Sequence, residues 1–460
     1  MVIANSFSAV TSAALILLLP KLVSEYQFGL WQLYVFYTSF IGFFHLGLQD
    51  GMILRYAGQD YDALDRPLMK SQLLFLNMLQ LVGLVALSLI VWLTVSEPGK
   101  TLVLIGFMAQ MVIFLPYSHL QYLLQATCRF KEFSWSLLLE KAVFLVLVVL
   151  ALLLGARDFA LFLLADLCAK LVALAYACAT CREVLLARTV PFPEMLREGF
   201  RNISVGLILL GANLAGILVV GVVRFCIEME WGVVVFGQVG LAFNVCSFVL
   251  LLFSSVAQFL FPMLRHLESD RVSSIYVLLN IPLTLLLLST LLLYQPLYAV
   301  MCWWLPNYAE PLRYLMFLLP LIVFQGKSSV LINTYLKVLR KERVMLAANI
   351  GGVIFAILVA TFSVFVFHEL MWAVISASVA AGALTVFAEL LIARRAESVS
   401  QPALLAPVVV EIILTVAFIV TNIILDGLVA FIAYAALCLL AAWLFRGQVR
   451  AALATRHKIS

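Results

Sequence analysis

The sequence predicts an all-α polytopic membrane protein with fourteen transmembrane helices, and three observations predict it. Of its 460 residues, 65% are apolar and only 12% charged, too little charge to cover a soluble chain of this size. Apolar runs of about 20 residues, the length that crosses a hydrocarbon core, recur from end to end. The Lys and Arg residues gather in alternate connections, as the positive-inside rule requires. The net charge of +5 therefore reflects orientation in a lipid bilayer, not a nucleic-acid partner.

The first span, 3–23, lacks a basic leader and is read as a retained helix, not a cleaved signal. The second, 28–48, opens on Phe28-Gly29 and ends in "HLGLQDG", followed by Arg55. The third, 71–95, is plain. The fourth, 101–126, carries Gln110, His119, Gln121 and Gln125 around Pro116, which should bend it. The fifth, 133–154, holds Glu140-Lys141, and the sixth, 158–180, holds Asp166 and Lys170. A connector, 182–201, follows with Pro191, Pro193 and four Arg.

The seventh span, 202–223, ends just before Arg224, and the eighth, 237–262, opens after Phe236-Gly237. The ninth is 274–298. The tenth, 312–335, contains Pro320 and Lys327. Short turns separate the eleventh from the twelfth (344–366, 370–392) and the thirteenth from the fourteenth (406–425, 428–445). An even count puts both termini on one side. The outer segments then hold only Lys21, Lys100, Arg157, Arg224 and Arg313 of the 29 Lys and Arg, so both termini are cytoplasmic. Six of the eight Trp, among them Trp31, Trp92 and Trp303, fall at outer helix ends, where the headgroup zone favours them.

The chain also repeats. Phe28-Gly29 and Phe236-Gly237 are 208 residues apart (236 − 28), and Gln125/Arg129 stand at the same offset from Asn333/Lys337. Two parallel six-helix lobes result, 1–181 and 202–393, with 394–460 as two extra helices and a tail. Lobes of this kind can expose a central site to each side of the membrane in turn.

Several stretches resemble Wzx-type polysaccharide flippases: "FGLWQLYVFYTSFIGFFHLGLQDGMILRYAGQ" (28–59), "RNISVGLILLGANLAGILVVGVVRF" (201–225) and "FGQVGLAFNVCSFVLLLFSSVAQFLFPMLRHL" (236–267). That family shares a superfamily with multidrug extruders and lipid II flippases. The resemblance spans most of residues 1–395. It implies transport of a polyprenyl diphosphate-linked oligosaccharide from the inner to the outer leaflet of a bacterial cytoplasmic membrane. It also implies a polymerase and chain-length proteins of the same pathway as further partners. A cation-coupled multidrug extruder and a lipid II flippase are the alternatives within the superfamily.

Ionisable groups inside a bilayer cost about 2.5–3.5 kcal/mol each on insertion scales, so each needs a reason. Lys327, with Gln325, Ser328 and Ser329 beside it, either lines a cavity as a cation for the diphosphate or is paired or snorkels. Arg224 either guides the diphosphate at the exit, near Glu228 and Glu230, or anchors the helix end. Gln49, Asp50 and Gly51 should turn the chain out of the second span and leave Arg55 at the cytoplasmic mouth. There it is either a phosphate-binding fork, with Asp50 as its pairing partner, or an orientation signal. His45, one turn deeper, is either a satisfied bundle histidine or a proton relay.

Asp166 and Lys170, at i and i+4, either neutralise one another or supply a coupling-ion ligand and a cavity cation. Glu140 and Lys141 carry the same two readings, while Glu389 and Glu411 are expected to snorkel. Pro116 and Pro320 are candidate gates. The Cys178/Cys181 pair has no His partner and is read as small apolar packing, so neither metal nor cofactor is expected. No nucleotide-binding loop is present. The outer loop 299–311 holds one acid, Glu310, and no basic residue, which argues against a polymerase or ligase and against enzyme activity in general.

Overall fold

The computed structural model describes residue 11 and residues 15–265, 269–395 and 401–448. Most of the first predicted span, and the tail with Arg450, Arg456 and Lys458, lie outside the described residues; 15–22 is helical. Among the described residues every regular element is a helix. Eleven of those helices are long and apolar enough to cross a membrane. One of them, Phe192–Arg265, is two spans run together across Gly232, whose φ of 74° and ψ of −172° are not helical. Only glycine adopts that conformation without strain, and the break falls between the predicted seventh and eighth spans.

Local chemistry explains the boundaries. Asp65 Oδ1 accepts from the Leu68 amide at 3.0 Å at the start of Arg66–Thr94, whose first turn also holds Pro67. Both are preferred helix openings because the first amides lack partners. Ser24 caps Glu25–Thr38 through the Gln27 amide in the same way.

The second span departs from expectation. The α-helix stops at Thr38, passes through a 3₁₀ segment, Ile41–His45, and restarts as Leu48–Tyr56. The break is made by Leu46 and Gly47, with φ of 50° and 85°, not by Gln49–Gly51, which begin the new helix and are buried. Gly47 and Gly51 lie one turn apart against the backbone of the seventh span. A Cβ on Gly47 would stand 2.8 Å from the Gly206 carbonyl carbon, and one on Gly51 would overlap the Asn202 carbonyl. The glycines of "HLGLQDG" thus permit a backbone-to-backbone contact that larger residues would forbid.

The chain forms two compact units, residues 1–214 and 215–460. In the first, one core joins Ile41, Leu48, Phe75, Leu76 and Met111, and another joins Met52, Tyr117, Leu120 and Ala173. In the second, a core runs from Leu287 and Leu288 through Leu318, Ile322 and Ala377 to Phe418 and Tyr434. Phe28 and Phe236, 208 residues apart in the chain, are both buried.

A further match at the offset of 208 lies in the sixth and twelfth spans. Ala165, Ala169 and Ala173 correspond to Ala373, Ala377 and Ala381 (373 − 165 = 208), and all six are buried. Small residues every fourth position let neighbouring helices approach closely, which matters where lipid removes the hydrophobic drive to associate.

The spans differ sharply in depth. The apolar window of Leu315–Val338, the tenth, is 83% buried, whereas that of Arg66–Thr94 is 17%. The latter shows Leu81, Val82, Val85 and Leu89 outward, the surface that faces hydrocarbon. Trp92 and Trp303 are each 79% exposed, as headgroup anchors should be. Trp31 is not: it is buried and stacked on Phe144, ring centroids 5.7 Å apart. Core packing outweighs interface preference at that position.

Candidate functional site

Three groups of ionisable side chains stand out. The first surrounds Arg55, one turn beyond Gly51. Its Nη2 meets Glu198 Oε2 at 2.7 Å and its Nη1 donates to Asn202 Oδ1 at 2.5 Å. The side chain remains 20% exposed, and Arg201 adds a second guanidinium at 3.4 Å from Glu198 Oε1. The expected Asp50 partner is replaced by Glu198. Positions 50 and 55 are five apart on one helix and point to different sides, while the glycine contact brings Glu198 and Asn202 alongside. Asp50 instead approaches His45 Nε2 at 4.0 Å. His45 Nδ1 accepts from the Gly47 amide at 3.1 Å, a turn-fixing role.

The second group lies inside the same unit. Asp166 pairs with Lys170, and Tyr34 donates to the other carboxylate oxygen at 2.6 Å. Glu140 Oε1 is 3.1 Å from Lys141 Nζ. Two acids and two bases balance, and neither Lys170 nor Asp166 is presented as a bare charge. A hydrogen bond to a charged group is worth about 1.5–3 kcal/mol, so Tyr34→Phe should lower stability by about that amount. Thermal unfolding of the purified variant in nanodiscs checks it; an unchanged transition would mean the Tyr34 contact contributes nothing.

The third group lies in the second unit. Lys327 is 0% exposed, with Nζ 2.8 Å from Glu411 Oε2 and 2.9 Å from Glu389 Oε1. Asn280 Nδ2 and Tyr276 Oη also donate to Glu389 Oε1, at 3.2 and 3.4 Å. A π-helical turn, Ser328–Ile332, follows the lysine directly, a distortion frequent at functional positions. Glu389 and Glu411 therefore do not snorkel: they are 1% and 2% exposed. The tenth helix is so deeply enclosed that its ammonium cannot reach water, and the carboxylates of two neighbouring helices come to it instead. Lys327 accordingly offers a saturated ion pair here, not an open phosphate site.

Arg224 is held over the rings of Phe236 and Phe243, 5.1 Å from each centroid, and Glu230 lies against His368 at 3.4 Å. Of the two prolines, Pro116 sits inside the unbroken helix Pro98–Ala126. Pro320 opens a new segment after Leu315–Leu318, where its missing amide removes a helical bond. All eight cysteines are free thiols, and burial pushes the Cys181 thiol up to about 11, an unreactive packing residue.

Sequence reasoning missed Glu198, Asn202, Tyr34, Tyr276 and Asn280. An acid among the four arginines of the connector and an Asn inside "LLNIPL" were the available signals. A polar pocket of about 440 Å³ lined by Tyr61, Arg129, Arg182 and Glu183 also went unseen; Arg129 lies over the Tyr61 ring at 4.4 Å. An apolar groove of about 470 Å³ runs along Phe317, Phe324, Phe387, Leu390, Ile412 and Val416.

These helices define a polytopic α-helical membrane protein. No family model matches the chain, and no curated protein matches it. Solved structures do. A lipid II flippase, MurJ, in an inward closed conformation has a TM-score of 0.66 at 12% identity, covering 100% of this chain and 99% of its own. An inward-facing MATE-family multidrug resistance transporter of the MOP superfamily scores 0.59 at 12% identity, over 90% of this chain and 99% of that one. A MOP-superfamily transporter from Pyrococcus furiosus scores 0.51 at 11% identity, over 90% and 93%. The chain thus has the fold of MOP-superfamily transporters.

Proposed function

We propose that the protein is a flippase that moves a polyprenyl diphosphate-linked oligosaccharide from the inner to the outer leaflet of a bacterial cytoplasmic membrane by alternating access. The observation that carries this reading is Arg55, a guanidinium left partly open at the end of the second span, which the basic residues assign to the cytoplasm. A planar fork of donors matches a diphosphate better than an ammonium does. The apolar groove along Phe387 and Ile412 has the chemistry to hold a polyprenyl chain. Supply of the repeat unit to a polymerase and chain-length proteins, and hence to an O-antigen or capsule, belongs to the same proposal, as does the division into lobes at 182–201.

The multidrug alternative is weakened by Asp166, whose charge Lys170 already takes up. Lipid II remains the second reading, favoured by the full-length likeness to MurJ.

The test is complementation of an export-deficient strain. Arg55→Ala, at normal membrane levels, should lower export by about tenfold, for a lost contact of about 1.4 kcal/mol, and Arg55→Lys should recover only part. Lipid-linked repeat units should accumulate on the inner leaflet. Undiminished export with Arg55→Ala would remove the proposed site, and accumulation of lipid II instead would favour the second reading.

A further inference from the structure

Charge does not balance in the second unit. Lys327 brings one positive charge, and Glu389 and Glu411 bring two negative charges, all at 2% exposure or less. In the first unit, buried Asp166, Lys170 and Glu140, with the partly exposed Lys141 beside Glu140, carry no such excess. A net charge held away from water costs several kcal/mol even after relaxation.

Hydrogen bonding is out of balance in the same direction. Glu389 Oε2, Glu411 Oε1 and Asn280 Oδ1 are buried acceptors without a donor among the described residues. Buried polar atoms are normally paired, and several orphaned acceptors in one cluster call for an explanation. One added proton answers both problems. It cancels the surplus negative charge, and it converts one carboxylate oxygen into the missing donor.

We propose that Lys327, Glu389 and Glu411 form a single-proton site shared by the tenth, twelfth and thirteenth spans, and that this proton latches the thirteenth span onto the other two. The inference goes beyond the transport reading and does not depend on its substrate. The titratable groups facing the site are Lys327 from the tenth span, Glu389 from the twelfth, Glu411 from the thirteenth and Tyr276 from the ninth. Tyr276 is backed by the Tyr335 ring, centroids 4.6 Å apart. With the proton bound, one carboxylate and one ammonium remain. Without it, two carboxylates repel across Lys327, and Glu411 is the arm that loosens, because Asn280 and Tyr276 hold Glu389 as well. Glu411→Gln is thus a change in the thirteenth span that is felt at the tenth.

The experiment is infrared spectroscopy of the purified full-length protein in nanodiscs at neutral pH, in H₂O and D₂O. Wild type should show a protonated-carboxyl C=O band that shifts in D₂O. Glu389→Gln and Glu411→Gln should each lose that band, because the remaining glutamate is then balanced by Lys327. Lys327→Met should gain carboxyl absorption, with both acids protonated. Absence of the wild-type band overturns the proposal without recourse to any variant. A band that survives in either Gln variant overturns the shared site. Loss of the band in sodium buffer but not in choline buffer would assign the site to a metal cation and overturn it too.

Discussion

Lys327→Met should be the most damaging single substitution in the second unit. It leaves Glu389 and Glu411 buried with no ammonium, and removing one partner of a buried ion pair costs about 3–5 kcal/mol. The deep enclosure of the tenth span means that no water is at hand to soften that loss. The triple variant Lys327→Met/Glu389→Gln/Glu411→Gln carries no charge and should regain most of the lost stability, since neutral replacements of buried ion groups are often tolerated. Unfolding transitions of wild type, the single variant and the triple variant in nanodiscs decide it. Equal loss in the single and the triple variant would mean that packing around Lys327, not its charge, sustains the region.

The second large effect is expected at Gly51. A valine there would drive its side chain into the Asn202 carbonyl, and backbone cannot swing aside as a flexible side chain can. Overpacking costs about 1–3 kcal/mol, occasionally more, and this site belongs at the upper end. The damage should reach function too, because separating the two helices withdraws Glu198 and Asn202 from Arg55. Gly155→Ala is the contrast: a Cβ there meets nothing within 4 Å, although its φ of 79° carries a backbone penalty of its own. Comparison of folded yield and of unfolding transitions separates crowding from backbone strain. A Gly51→Val protein as stable as wild type would show that the helices part without cost.

Much of the molecule was legible in the chain because lipid imposes strict rules. Span lengths, tight turns such as 366–369, and the break near Gly232 all follow from the need to satisfy every backbone group inside hydrocarbon. The Ala-rich faces of the sixth and twelfth spans sit openly in the sequence at the offset of 208. Partnerships were not legible. Asp166 with Lys170 could be read because i and i+4 share a helix face. Glu198 with Arg55, 143 residues apart, and Glu411 with Lys327, 84 apart, could not.

What the sequence determined alone was an all-helical membrane protein with a small set of costly internal charges, since apolar content, span length and the placing of Lys and Arg depend on the bilayer and not on how helices pack. Which charge meets which was decided only in three dimensions. A glycine contact delivers Glu198 to Arg55, and the burial of the tenth span on nearly all sides draws two carboxylates onto Lys327. Interactions between distant helices are set by packing, and packing leaves no periodic trace in a single strand of letters.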